Sequence, residues 1–66
     1  MAQTFEVEAK CTKETEKAIL VEAKDLPDGQ AWIPKSVIDD DSEVYEKGHE
    51  GTLVVKSWFA EREGWI

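Results

Sequence analysis

Between Thr4 and Thr12 the chain alternates: Phe5, Val7, Ala9 and Cys11 share one parity, while Glu6, Glu8 and Lys10 share the other. Successive side chains of a strand point to opposite faces, so this period of two marks an extended segment with one side in a core and the other in water. A strand over Thr4–Thr12 is expected, and it commits the chain to a β-rich frame whose remaining segments must supply its partners.

Those partners are legible. Lys13-Glu14-Thr15-Glu16 is polar and aperiodic and serves as a connection; Lys17–Ala23 contains the apolar run Ala18-Ile19-Leu20-Val21 and reads as a strand covered on both faces. Asp25-Leu26-Pro27-Asp28-Gly29 carries turn chemistry, with Pro27 presetting φ and Gly29 accepting a positive φ, so Lys17–Lys24 is expected to pair with Gln30–Ile33. Pro34 cannot donate to a ladder and ends that strand; Pro34–Ile38 reads as one 3₁₀ turn with proline at its first position. Asp39-Asp40-Asp41-Ser42 is expected as a solvated bend. Glu43–Glu46 is expected as a short strand with Val44 and Tyr45 on opposite faces, Gly48–Gly51 as a tight loop, and Thr52–Lys56 as the last strand. Ser57 is suited to cap a short helix over 57–63, with Gly64 at its left-handed end and Trp58, Phe59, Trp65 and Ile66 to pin it. The expected fold is mainly β: one domain over 1–66, a small five-stranded antiparallel, partly open barrel of SH3-like or OB-like type.

Sixty-six residues hold one small core, and a core of this size rarely supplies more than about 3–5 kcal/mol. The apolar run falls far short of the roughly 20 residues that cross a bilayer, and no basic segment leads an apolar one at Met1, so a cytoplasmic location is expected. Cys11 is the sole cysteine, which removes an intrachain disulfide and a four-thiolate metal site. Its parity makes it a small core hydrophobe.

Candidate chemistry is sparse. His49 lies between glycines with only Glu50 near it in sequence, and no catalytic role is assigned to it. Asp39, Asp41 and Glu43 alternate like the early ligands of a calcium loop, but Val44 stands where such a loop needs glycine, so no metal is expected. No phosphate-binding glycine loop, nucleophile triad, paired-cysteine or paired-histidine motif occurs, and neither an enzyme nor a cofactor is expected. The net charge of −7, with lysines interleaved among acids, makes nucleic acid an unfavourable partner. Trp58 and Trp65 are expected to cover one end of the barrel and Trp32 to fill it or cap the Pro34 turn.

The segments Glu16–Val21, Trp32-Ile33-Pro34-Lys35-Ser36-Val37-Ile38 and Leu53–Gly64 together resemble a group of short bacteriophage and mobile-element proteins without an assigned activity. That group has a lysine-flanked apolar strand, a Trp-Ile/Leu-Pro-Lys-Ser turn and a closing strand followed by a Trp-containing, glycine-capped helix. The resemblance spans most of the chain from Glu16 onward, with Trp32–Ser36 its most specific part. It implies an accessory protein that modulates a host protein, as an anti-defence inhibitor or a DNA mimic. The turn also makes physical sense alone: Ser36 is expected to bond a backbone group and close it, leaving Lys35 pointing outward from a rigid position.

The residues therefore point to a small acidic non-enzymatic binding module. Its partner surface would combine Asp39, Asp40, Asp41, Glu43, Tyr45, Trp32 and Lys35, joined by Glu46 and Glu50, and its partner would be a basic protein. Two alternatives come from other classes: a single-strand nucleic-acid binder stacking bases on Trp32 and Tyr45, and a structural subunit of an oligomer, including a homodimer formed through an open sheet edge.

Overall fold

The computed structural model describes residues 3–66. The first two positions of the expected domain, and with them the reading of the chain start at Met1, lie outside the described residues. The chain forms β1 (Thr4–Glu14), β2 (Ala18–Glu22), β3 (Gln30–Pro34), a 3₁₀ turn (Lys35–Val37), β4 (Glu50–Lys56) and α1 (Ser57–Arg62). The strands make one antiparallel sheet in the order β3-β2-β1-β4. Among the described residues no helix is long and apolar enough to cross a membrane.

The alternation in β1 is realised: Val7, Ala9 and Cys11 are buried while Glu6, Glu8 and Lys10 are exposed. Phe5, Val7 and Ala9 face Val55, Leu53 and Gly51 of β4, and Cys11 faces Val21 of β2. With Ile19, Ile33, Val37, Val44 and Phe59 these side chains form the core. Completely burying an Ile, Leu or Val contributes about 1.5–3 kcal/mol, which is why the loss of any one is costly in so small a core.

β1 runs two residues beyond its expected end because of a bulge. Cys11 pairs with Val21, yet Lys13 pairs with Leu20 and Glu14 with Ile19, so Thr12 is an extra residue and the pleat shifts phase there. Strict alternation would put Glu14 on the outer side with Glu6 and Glu8. The bulge instead puts it on the side of Ile19, where its carboxylate meets Lys35 Nζ at 2.6 Å and the Lys47 amide at 3.3 Å. A single carboxylate thereby ties the end of β1 to the 3₁₀ turn and to the loop before β4.

Four strands form among the described residues, not five: Glu43–Glu46 makes no ladder. The reason lies in Ser42, whose hydroxyl accepts the Val44 N–H at 3.2 Å and donates to the Val44 carbonyl at 2.8 Å, satisfying locally the groups that a strand would offer to a neighbour. The two faces are as expected, with Val44 buried and Tyr45 exposed.

The segment from Ile38 to Glu43 nevertheless lies along the free side of β4. Ile38 bridges Val55. The Asp39 N–H donates to the Val54 carbonyl at 2.8 Å, and the Glu43 N–H to that of Thr52 at 2.9 Å. In return the Val54 N–H reaches Ser42 Oγ at 3.0 Å and the Thr52 N–H reaches Glu43 Oε1 at 2.9 Å. The edge of β4 is closed half by backbone and half by side chains. Ser42, expected in a solvated bend, is consequently buried to 5% exposure, while Asp40 and Asp41 are solvated.

Several boundaries shift for identifiable reasons. The 3₁₀ turn starts at Lys35, because Pro34 stays extended opposite Ala18 as the last residue of β3. The turn closes through the Ile38 N–H and the Lys35 carbonyl at 3.2 Å, and Ser36 is exposed. β4 begins at Glu50, since Gly51 takes φ +145° and lies in the ladder opposite Ala9. Ser57 is the first helical residue rather than the cap, which is Lys56, and the Ser57 N–H is used by the Gln3 carbonyl at 3.0 Å. The helix ends at Arg62. Trp65 N–H to Ala60 O (2.9 Å) and Gly64 N–H to Glu61 O (3.1 Å), with Gly64 at φ +79°, make a Schellman cap. That cap returns Trp65 onto Phe59 and Phe5, at ring centroid distances of 5.5 and 5.9 Å. Trp65 thus covers the end of the sheet as expected. Trp58 and Trp32 do not join the core: they are 52% and 49% exposed.

Candidate functional site

The 3₁₀ turn, the acidic bend and the loop after Val44 enclose an open cleft of about 390 Å³, lined by Lys35, Ile38, Asp39, Asp40, Tyr45 and Glu46. Each wall is set by the local fold just described. Lys35 leaves the turn directly after Pro34, and the Glu14 carboxylate holds its ammonium at 2.6 Å. Ile38, half-buried where it bridges Val55, is the apolar member of the lining. Tyr45 is carried outward because its neighbour Val44 is drawn into the core, and its ring meets the His49 ring edge-on at 4.5 Å.

The charges in the cleft fall into two groups. Lys35 and Asp39 are committed internally: Lys35 to Glu14, and Asp39 to Lys56 Nζ at 3.1 Å and to the Asp41 N–H at 3.1 Å. The Asp41 amide, followed by the Lys56 ammonium, holds the Asp39 carboxyl below its ordinary value. Glu14 is likewise held low, by the Lys35 ammonium first and the Lys47 amide second. Asp40 and Glu46 are exposed and carry the cleft's unspent negative charge, with His49 Nε2 standing 3.8 Å from Glu46. The cleft therefore offers an aromatic ring, an aliphatic contact and two carboxylates to whatever enters it.

Of the residues singled out in the sequence, Lys35, Asp39, Asp40 and Tyr45 are brought together here along with Glu46. Asp41 contributes its amide to Asp39 and is not in the lining. Glu43 turns away to β4, and Trp32 lies on the outer face of β3 opposite Leu20. Asp39, Asp41 and Glu43 thus have different partners, and among the described residues no group of three or more His, Cys, Asp or Glu is arranged to hold a metal.

His49 is oriented by residues other than Glu50. Its Nδ1 accepts the Tyr45 N–H at 3.4 Å, its Nε2 faces Glu46, and its carbonyl takes the Cys11 N–H at 2.8 Å. Sequence reasoning missed Glu14 and Ile38. The first was concealed by the bulge, and the second carried only the weak signal of an apolar residue just after a turn. Comparison of the chain with protein-family models, with curated proteins and with solved structures finds no match.

Proposed function

We propose that this chain is a small acidic, non-enzymatic binding module whose cleft receives a basic side chain of a partner protein. The observation carrying this reading is the placement of Tyr45 beside Asp40 and Glu46, while the potential competitor inside the cleft, Lys35, is occupied by Glu14. An aromatic face beside uncompensated carboxylates suits a guanidinium or ammonium group, through cation–π attraction and charge-assisted hydrogen bonds. The net charge of −7 adds long-range attraction for a basic surface and makes association salt-sensitive. Asp41 and Glu43 belong to that wider field, not to the pocket.

The resemblance to phage and mobile-element proteins supports a modulator of a host protein, acting in the host cytoplasm as an anti-defence inhibitor or a DNA mimic. The finer architectural reading, a partly open SH3-like or OB-like barrel, is part of the same proposal. It is supported by the long β1, which serves β4 before its bulge and β2 across it. A stacking surface for single-stranded nucleic acid is a second reading, favoured by the exposure of Trp32 and Tyr45; loss of tryptophan emission on titration with an oligonucleotide at low salt would support it.

The cleft is tested with a short arginine-rich peptide followed by NMR. Shifts are expected at Tyr45, Asp40 and Glu46, with binding weakened roughly three- to thirty-fold by Tyr45→Ala, matching a cation–π contact of about 0.5–2 kcal/mol. Shifts confined to other residues, or affinity unchanged in the Asp40→Asn, Glu46→Gln double variant, would refute the reading.

A further inference from the structure

The two margins of the sheet are treated differently. At β4 the outward groups of Thr52 and Val54 are all taken by residues 39–43. At β3 nothing comparable occurs. The Lys35 N–H to Lys17 carbonyl bond at 2.8 Å and the Ala23 N–H to Gly29 carbonyl bond at 2.9 Å fix the phase of the β2–β3 ladder, so positions 31 and 33 bond to β2. The N–H groups of Gln30 and Trp32 and the carbonyls of Gln30, Trp32 and Pro34 point away from it. Among the described residues the Gln30 and Trp32 groups have no hydrogen-bond partner, whereas the Pro34 carbonyl already accepts the Val37 N–H that opens the 3₁₀ turn; no strand lies beyond β3.

From this we infer that β3 is a self-association edge, pairing antiparallel with β3 of a second copy about a two-fold axis at Trp32. In that register the two Trp32 residues exchange N–H and carbonyl, and each Gln30 N–H meets the second lone pair of the other copy's Pro34 carbonyl, whose first accepts the Val37 N–H of its own turn. Four backbone hydrogen bonds form. The donor that Pro34 lacks falls opposite the Gln30 carbonyl at the ends of the pairing, where water replaces it.

The strand is suited to its own copy. Gln30–Pro34 contains no charged residue in a chain that is 35% charged, so self-pairing sets no like charges against each other across the new ladder. Lysines, inward charges and prolines commonly guard open edges; β3 has neither of the first two, and its one proline, Pro34, stands at the strand's end. The other stretch facing away from a partner, along the first half of β1, is guarded by Glu6 and Glu8. Trp32, 49% exposed on the outer face, would lie beside its counterpart as a cross-strand aromatic pair. The continuous sheet would have eight strands, with each β4 edge closed at the far side.

Sedimentation equilibrium over a wide concentration range tests this. Concentration-dependent doubling of mass is expected, favoured by added salt because two copies of charge −7 repel each other at low ionic strength. Gln30→Pro removes only an outward N–H, and so two intermolecular hydrogen bonds per dimer. It should raise the dissociation constant about ten-fold or more. Trp32→Lys should leave monomer alone. In the unaltered protein the Trp32 amide should exchange with solvent deuterium more slowly as concentration rises, a readout that does not depend on the variants folding. A monomer throughout the range, including one that binds an added foreign peptide along β3, would overturn the inference. So would a dimer whose Trp32 amide stays unprotected. Neither result touches the cleft, which involves none of these residues.

Discussion

The hydroxyl of Ser42 stands 3.0 Å from the amide nitrogen of Val54 and performs for β4 the task of a neighbouring strand's carbonyl. The same oxygen serves Val44, so one buried side chain satisfies two amides that water does not reach. Ser42→Ala would strand both. At about 1–3 kcal/mol for each unsatisfied buried group, the loss should be about 2–6 kcal/mol, comparable to what a core this small supplies. Urea unfolding should show it, and hydrogen exchange at the Val54 amide should accelerate.

Gly51 sits at φ +145°, and a Cβ there would approach Glu43 Oε1 to 2.6 Å. The Glu43 side chain can withdraw, but only by releasing the Thr52 N–H that it holds. Gly51→Ala should therefore cost about 1–3 kcal/mol from backbone strain, with a further loss from Thr52. Glu43→Ala combined with Gly51→Ala should remain less stable than Glu43→Ala alone, because removing the carboxylate does not relieve the backbone. Equal unfolding midpoints for those two proteins would contradict this account.

Acid should weaken the fold in a defined way. Glu14 and Asp39 both have carboxyls held below their ordinary values of 4.5 and 3.8. A group lowered in the folded state stabilises it fully above the ordinary value, and that contribution is lost as pH falls through the lowered one. Stability should hold steady down to about pH 5 as far as these two groups are concerned, and fall below it. Lys35→Met removes the larger cause at Glu14 and should flatten the acid limb of the urea midpoint plotted against pH.

Cys11 is fully buried, and burial pushes its thiol above the ordinary 9.0, against a smaller opposing effect of the Lys13 backbone. A thiol reagent should label it only as fast as the sheet opens, with the rate rising in urea in step with unfolding. The raised value favours the folded state below pH 9.0, and this advantage is lost as pH climbs through the folded value. Rapid labelling in the absence of denaturant would show that Cys11 is not the core residue described.

The sequence made local features legible. The parity of Phe5 to Cys11, the buried run Ile19 to Val21, the turn ending at Gly29 and the left-handed Gly64 are each determined within a few residues, and they appear where local chemistry puts them. Ser42 was not legible. Its neighbours are acids, its nearest sequence pattern is that of a solvated bend, and its role depends on Val54, 12 residues away. For Trp32 the sequence left two expectations side by side, a core filler by residue type and a member of the partner surface; its place in β3 sets it on the outer face, which local chemistry alone does not decide. Of the cleft, the acids and Tyr45 could be nominated from composition and position. The anchoring of Lys35 by Glu14 could not, since it needs the shift of pleat at Thr12.

That shift makes Thr12 a spacer whose presence matters more than its chemistry. Deleting it would return Glu14 to the solvent side of the ribbon and release the 3₁₀ turn and the Lys47 loop together, whereas exchanging it for another β-tolerant side chain would leave both attached. Drift in identity at this position is harmless to the molecule; drift in chain length is not.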